Sequence, residues 1–201
     1  MENIIYACLC INPNFHYINL RMRFIARWAL MRNSFPENVQ EHSHQVAVLA
    51  HALATIRRDV FHKKADPNAC ATAALFHDAS EILTGDLPTP VKYNNPAIQE
   101  AYKALEVVAQ DKLLQGLPEE LRRSYTPILH EEDEEIRRIV KAADKLSAYL
   151  KCQEELHAGN QEFEQAALEI MSTLQSYRMP EVAWFLEKFG NTFGVTLDEL
   201  R

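Results

Sequence analysis

The chain contains few cysteines and few glycines, and each shortage excludes a class of protein. Its four cysteines, Cys8, Cys10, Cys70 and Cys152, are too few and too scattered in 201 residues for a disulfide scaffold, so we expect a reducing compartment. Five glycines in a chain that is 47% apolar argue against a fibrous or disordered protein. The length suits one compact domain with a sizeable core.

An excess of positive charge and a long apolar run are also missing. The formal net charge is −7, and lysine and arginine are spread along the chain, so the sequence shows no basic patch of the kind that binds nucleic acid. No apolar run reaches the length of a membrane-spanning helix, and the N-terminus lacks the basic start and cleavage site of a signal peptide. We therefore expect a cytoplasmic protein whose partners are neither nucleic acids nor membranes.

Apolar residues recur at helical spacing through most of the chain, and no alternating strand pattern is present. We expect an all-α fold of about seven to nine helices. The predicted helices cover 15–31, 39–58, 67–84, 96–115, a short segment after Pro118, 133–157, 161–177 and 180–189. Asn38 and Glu41 form a capping-box pattern, and Asp66 is a cap followed by a proline suited to the first helical position. Three prolines interrupt the segment 85–96, which therefore cannot be regular helix.

Two polar residues fall on the apolar stripes of their predicted helices. Asp144 needs a cation or strong donors there, because an unpaired buried carboxylate is costly. It is either a metal ligand or the acid of a core salt bridge with Lys141 or Lys145. His42 is likewise either a metal ligand or a hydrogen-bonded core residue.

The dipeptide His77-Asp78 adds a second imidazole and a second carboxylate, within a predicted helix that is small and apolar on nearly all sides. Buried polar residues on three otherwise apolar helices suggest one shared cause, and a metal ion would compensate the desolvated carboxylates together. Two nitrogen and two oxygen ligands admit manganese, cobalt, iron or zinc, with positions left for water and a substrate oxygen. Glu81 follows Asp78 by three residues and is either a general acid or base or a solvated residue at a helix end.

Four blocks of sequence resemble a known family. They are RWALMRN (27–33), ENVQEHSHQVA (37–47), FHDASEILTGDLPTPVKY (76–93) and KAADKLSAYLKCQEE (141–155). With the order of their histidines and aspartates, they resemble the bacterial 5′-deoxynucleotidase branch of the HD-domain metal-dependent phosphohydrolases. The resemblance implies a single multi-helix HD-domain bundle over 15–201. Residues 1–14 are then an N-terminal extension, either a disordered lead or an overlong start.

The resemblance also implies a reaction and a site. The family removes phosphate from deoxyribonucleoside 5′-monophosphates with one divalent ion, held by residues that match His42, His77, Asp78 and Asp144. Glu81 matches the proposed general acid or base, and Arg27 a residue that orients the phosphate. The implied substrate contacts are Arg27, Trp28, His42, Asp78, Asp86, Leu87, Pro88, Thr89 and Asp144. A homodimer is implied as well, with cobalt or manganese as the expected metal and copper, zinc or iron as further candidates.

Three hypotheses of function are open on this sequence. The first is a phosphomonoesterase of deoxynucleotides that is selective against ribonucleotides. The second is a metal enzyme acting on a nucleoside triphosphate, a cyclic nucleotide or a guanosine polyphosphate, for which more basic residues would be expected. The third is a non-catalytic helical module stabilised by metal. Ordinary explanations also exist for Arg27 as a surface cation and Trp28 as a core residue, and His44 is interpreted as a surface residue.

Overall fold

Helices form nearly the whole structure in the computed structural model, which describes residues 15–92, 95–193 and 198. Seven helices in these ranges have ten or more residues: α2 (Val39–Asp59), α3 (Pro67–Phe76), α6 (Pro96–Gln115), α7 (Glu119–Leu129), α8 (Glu134–His157), α9 (Glu164–Ser176) and α10 (Pro180–Phe189). Three are short: α1 (Phe15–Asn19), α4 (Glu81–Thr84) and α5 (Thr89–Lys92). Leu20–Phe24, Gln161–Phe163 and Gly190–Thr192 are 3₁₀ turns. The all-α prediction is confirmed.

Side-chain caps fix the start of the helices that carry the site. Asn38 accepts a hydrogen bond from the backbone N–H of Glu41 at 3.0 Å, and the Glu41 carboxylate accepts one from the N–H of Asn38 at 3.4 Å. The predicted capping box is therefore confirmed, and it starts α2 one turn before His42. Asp66 caps α3, with proline at the first helical position as predicted, and Asp133 caps α8.

The main core lies where α2, α3 and α8 pack together, with α10 closing one side. Val46, Leu53, Ala74, Ile139 and Leu146 are fully buried there. Small residues on α3 let its backbone approach the two longer helices closely. The packing brings the first turn of α2, the end of α3 and the middle of α8 together, and these three places carry the predicted metal ligands.

The prediction of one helix over 15–31 is wrong. The α-helix α1 passes into a 3₁₀ turn that ends at Phe24, and the chain then forms a loop up to α2. The N–H of Arg27 donates to the carbonyl of Glu37 at 2.9 Å, beside an antiparallel bridge between Ala26 and Asn38. Trp28 has a φ of 57°, a left-handed conformation that no helix interior contains. In this loop, backbone pairing with the residues just before α2 replaces the hydrogen bonds that a helix would make.

The prediction of a continuous helix over 67–84 is also wrong. Helix α3 ends at Phe76, and tight turns join it to the single-turn helix α4, so His77 and Asp78 lie on a turn. Helix α3 also leaves one side in solvent, since the Leu75 side chain is exposed. One helical turn, α5, lies within the proline-interrupted segment; its Pro90 falls in the first turn, where no backbone donor is required.

The predicted N-terminal extension, residues 1–14, lies outside the described residues, as does most of the chain after Phe193. The proposed domain bounds therefore stay a prediction. Among the described residues, no helix combines the length and the apolar character needed to cross a membrane.

Candidate metal centre

Three elements of the fold bring the predicted ligands together. His42 on α2 and His77 and Asp78 on the turn after α3 each offer one ligand atom, and these three atoms lie within 4.8 Å of one another. Asp78 Oδ2 is 3.1 Å from His77 Nε2 and 3.7 Å from His42 Nε2. Asp144 on α8 lies outside this set of three and contacts it through His42, whose Nε2 is 3.0 Å from Asp144 Oδ1.

A hydrogen bond on the far side of the His42 ring determines which nitrogen faces the site. Ser147 Oγ donates to Gln45 Oε1 at 3.2 Å and lies 3.2 Å from His42 Nδ1. Since the hydroxyl proton is used for Gln45, Ser147 accepts from the protonated Nδ1 of His42. The Nε2 lone pair of a neutral His42 therefore faces the oxygens of Asp78 and Asp144.

His77 is oriented in the same way. Its Nδ1 donates to the carbonyl of Ala74 at 2.7 Å, which leaves Nε2 facing Asp78. His77 Nε2 is buried and, among the described residues, has no hydrogen-bond partner of acceptable geometry. Two imidazole lone pairs thus point at carboxylate oxygens, an arrangement that repels itself unless a proton or a metal cation lies between them. The nitrogen and oxygen donors present suit a first-row divalent metal.

The two aspartates remain ionised despite their burial. Burial alone would raise the pKa of Asp78, but the positive charge and the hydrogen bond that a protonated His77 supplies hold it well below its usual range. Burial also opposes ionisation of Asp144, yet Lys145 and His42 hold its pKa well below the usual range. Lys145 Nζ lies 3.3 Å from Asp144 Oδ2, so a salt bridge of the predicted kind is present beside the contact with His42. Anionic oxygens are therefore available to a cation at neutral pH.

Glu81, the first residue of α4, is buried, so its interpretation as a solvated residue is wrong. Its Oε2 is buried without a hydrogen-bond partner in the part of the chain that the structure describes. Burial, together with the negative charges of Asp78 and Asp86, raises the pKa of Glu81 to about 9. The side chain therefore carries a proton at neutral pH, which is the state required of a general acid.

Arg27 lies against the ligands and is not a surface cation, since its side chain is only 12% exposed. Its Nη1 is 3.5 Å from Asp78 Oδ2, and its Nε donates to Glu37 Oε2 at 3.0 Å. Burial opposes the charge, but nearby carboxylates raise the pKa of Arg27 above its usual value. Trp28 is half-buried and packs against Phe163 with ring centroids 5.3 Å apart, so it does pack on the core as the ordinary explanation requires.

The segment after α4 brings Asp86 near Arg27 and Asp78. Gly85 has a φ of 72°, a conformation that favours glycine, and its carbonyl accepts from Tyr102 Oη at 3.4 Å. Asp86 follows, half-buried; burial raises its pKa, while the charge of Arg27 lowers it. Leu87 and Pro88 are half-buried and Thr89, which begins α5, is exposed.

The exposure of His44 agrees with its interpretation as a surface residue.

Two buried residues of the site were not found from the sequence. Ser147 carries no motif of its own, although it lies three residues after Asp144 and so one turn along the same helix. Glu37 accepts hydrogen bonds from both Arg27 and Trp28. Glu37 precedes α2, where helical periodicity gives no signal, and only its burial in the folded chain distinguishes it from other acidic residues.

Comparison with known proteins agrees with this geometry. Residues 14–193 match the family described as 5′-deoxynucleotidase YfbR-like. The chain belongs to this family. A 5′-deoxynucleotidase of Photobacterium profundum is 51% identical over 182 residues, which cover 90% of this chain and 94% of that protein. The 5′-deoxynucleotidase YfbR of Escherichia coli is 50% identical over 182 residues, covering 90% of this chain and 92% of that protein.

Solved structures show the same fold at lower identity. An HD-domain phosphohydrolase from Listeria innocua superposes with a TM-score of 0.77 at 23% identity, covering 89% of this chain and 87% of that one. The HD phosphohydrolase DatZ of cyanophage S-2L, bound to dA and one catalytic Zn²⁺, gives a TM-score of 0.61 at 21% identity, covering 86% and 94%. The predicted HD-domain bundle is therefore confirmed.

Proposed function

We propose that this protein is a metal-dependent 5′-deoxynucleotidase, which hydrolyses deoxyribonucleoside 5′-monophosphates to deoxyribonucleosides and phosphate. The observation that carries the proposal is the convergence of the His42, His77 and Asp78 donor atoms beside Arg27 and the protonated Glu81. The names of relatives at about half identity over nine-tenths of the chain support the substrate class.

His42, His77, Asp78 and Asp144 are the residues that would hold a divalent ion. When bound there, the ion supplies positive charge that polarises a phosphate oxygen and makes water a better nucleophile. The orientation of both Nε2 atoms by Ser147 and Ala74 supports this assignment. We expect cobalt or manganese, with zinc supported by the name of the DatZ structure, and copper or iron as further candidates.

Arg27 binds the phosphate of the substrate. Glu37 occupies its Nε and Nη1 contacts Asp78 at 3.5 Å, so Nη2 and the second N–H of Nη1 remain as donors for phosphate oxygens. Charge on the phosphoryl oxygens is stabilised by this guanidinium while water attacks phosphorus in line with the leaving 5′-oxygen. Binding by Arg27 also explains why a negatively charged chain can take an anionic substrate.

Glu81 moves a proton during the reaction. The bond between phosphorus and the 5′-oxygen breaks as water adds to phosphorus, and the 5′-oxygen takes the proton held by the Glu81 carboxyl. The resulting carboxylate then accepts a proton from the attacking water. The raised pKa of Glu81 suits it for the donating role at neutral pH.

Selectivity for deoxyribose comes from the segment Gly85–Thr89 and Trp28. Asp86 is half-buried near Arg27 and accepts a hydrogen bond from the 3′-hydroxyl of the sugar. Leu87, Pro88 and Thr89 crowd the sugar, so a 2′-hydroxyl would be left without a partner in a tight space. Proline stiffens this segment and reduces the entropy lost on binding.

One experiment tests the proposal directly. The protein is stripped of metal, single ions are added back, and phosphate release is measured from matched deoxyribonucleoside and ribonucleoside 5′-monophosphates. We expect release from the deoxy substrates only, and only with an added ion. Pyrophosphate release from triphosphates in place of this activity would favour the second hypothesis, and metal binding without any hydrolysis would favour the non-catalytic module. A cytoplasmic homodimer stays a prediction from the resemblance.

A further inference from the structure

The carboxylate of Glu37 accepts hydrogen bonds from two adjacent residues of the site with one oxygen. Its Oε2 lies 3.0 Å from Arg27 Nε and 2.9 Å from Trp28 Nε1. The side chain is buried, with 7% of the residue exposed. Its own backbone carbonyl accepts from the N–H of Arg27 at 2.9 Å, so Glu37 holds this pair of residues by both main chain and side chain.

The charges around Arg27 show what this contact does. The guanidinium lies between two carboxylates, with Glu37 3.0 Å from Nε and Asp78 3.5 Å from Nη1. Asp78 is among the candidate metal ligands. Without the charge of Glu37, the guanidinium would be drawn closer to Asp78, where it competes with a cation for the same oxygen.

The backbone of Trp28 gives a second reason. A φ of 57° is strained for a bulky residue, so surrounding contacts must hold it there. The hydrogen bond from the indole to Glu37 and the packing on Phe163 are such contacts. One carboxylate therefore determines the direction of both the guanidinium and the indole.

We propose that Glu37 is a positioning residue of the active site, which directs the terminal nitrogens of Arg27 toward the substrate phosphate and fixes the Trp28 indole beside it. This inference rests on the proposed function for the identity of the substrate. The contacts of Glu37 with Arg27 and Trp28 do not depend on it.

The test combines kinetics with a direct view of the indole. Glu37→Gln removes the charge and can accept only weakly in place of the carboxylate. We expect kcat/KM for a deoxyribonucleoside monophosphate to fall by about 10–100-fold, in the range found for partners that orient active-site groups. Because the chain has two tryptophans, its ¹H–¹⁵N spectrum has two indole signals, and the Trp28 signal should move while that of Trp184 stays. Glu41→Gln is the matched control, since a glutamine preserves its exposed capping contact.

A double-mutant cycle shows whether Glu37 acts through Arg27. In an Arg27→Ala background, Glu37→Gln should lower kcat/KM by clearly less than it does in the parent, because only the contact with Trp28 is then left to lose. Glu37→Asp keeps the charge and should recover part of the lost activity, and it replaces the glutamine variant if that variant does not fold. The inference is overturned if Glu37→Gln retains parental kcat/KM, or if its loss persists in full without Arg27.

If the proposed function is wrong, the result differs from the one expected if only the role of Glu37 is wrong. A parent protein that releases no phosphate from any deoxynucleotide contradicts that function. Glu37 is then judged by the affinity of the metal-loaded protein for inorganic phosphate and by the Trp28 indole signal. Weaker phosphate binding and a shifted signal in Glu37→Gln support the positioning role, and unchanged values contradict it.

Discussion

Two buried glutamates of this protein have opposite ionisation, and their neighbours explain why. Glu155 on α8 is fully buried, and burial alone would raise its pKa. Hydrogen bonds from Lys151, Asn160 and the backbone N–H groups of Ser34 and Phe35 lower that pKa to about 2. No such donor reaches Glu81 Oε2 from the described residues, and the pKa of Glu81 is raised to about 9.

The difference separates a structural cluster from a reactive one. In the structural cluster, the polar atoms form hydrogen bonds with one another and with the loop between Phe24 and α2. Its members are Lys151, Glu155 and Asn160. In the metal centre, by contrast, His77 Nε2 and Glu81 Oε2 are buried and find no hydrogen-bond partner within 15–92 and 95–193. Buried polar groups thus stabilise the fold where all their hydrogen bonds are made. Where some hydrogen bonds are not made, the free donor and acceptor atoms can bind a ligand. The following changes test this comparison.

The largest expected effect is that of Asp78→Ala. Asp78 Oδ2 lies near His77, His42 and Arg27, so its removal takes away the anionic centre of the ligand set. We expect metal content and phosphate release to be lost together, with activity falling by about three orders of magnitude or more. Elemental analysis of the purified protein and phosphate assays measure this. Asp59→Ala removes an exposed, ion-paired aspartate and serves as the control. A metal-loaded, active Asp78→Ala protein would contradict the assignment.

Glu81→Ala and Glu81→Gln separate proton transfer from metal binding. We expect the bound metal to remain and kcat to fall by about 10²–10⁴-fold, the usual contribution of a general acid or base. In the parent, kcat should decline as the pH rises through about 9, because the proton of Glu81 is then lost. This alkaline decline should be absent from the pH profile of Glu81→Gln. Parental activity in Glu81→Ala would show that the role is wrong.

Glu155→Gln should lower the free energy of unfolding rather than the rate of the reaction. Breaking a buried ion pair costs about 3 kcal/mol or more of the free energy of unfolding at neutral pH. Because the folded pKa of about 2 lies below that of an unfolded glutamate, this stabilisation is present at neutral pH. It is lost as the pH falls from about 4.5 to about 2.

Urea unfolding at several pH values measures this effect. The difference between parent and Glu155→Gln should shrink as the pH falls through that range. Glu162→Gln is the control, because Glu162 contacts the same loop through the highly exposed Arg32 and should contribute far less to stability. Equal losses from the two variants would remove the distinction between buried and exposed carboxylates.

Ser147→Ala should give the smallest effect. It removes the acceptor that orients the His42 ring, and we expect metal affinity to fall by about tenfold with the fold intact. Ser43→Ala is a matched control, because Ser43 is also buried on a helix but its hydroxyl bonds to no group of the residues that the structure describes. Metal titration followed by calorimetry distinguishes the two. Unchanged affinity in Ser147→Ala would mean that packing alone orients the ring.

Features that depend on near neighbours in sequence were predictable. The capping box of Asn38 and Glu41 and the cap at Asp66 use bonds within three residues, and both are present as predicted. The end of α3 was not predictable, because the sequence up to Thr84 continues to favour helix. The His77 ring bonds the carbonyl of Ala74, and tight turns replace the helical bonds beyond it.

The sequence by itself determined the all-α class, the helix caps and the identity of the four candidate ligands, because each of these follows from residue type and spacing. Only the tertiary structure decided that Glu37 would hold Arg27 and Trp28, that Glu81 would be buried with its proton, and that Glu155 would be ionised. These outcomes depend on which groups lose water and which donors reach them. His42 and Asp144 meet across 102 residues, and no local pattern specifies the distance or the solvent exposure of such a pair.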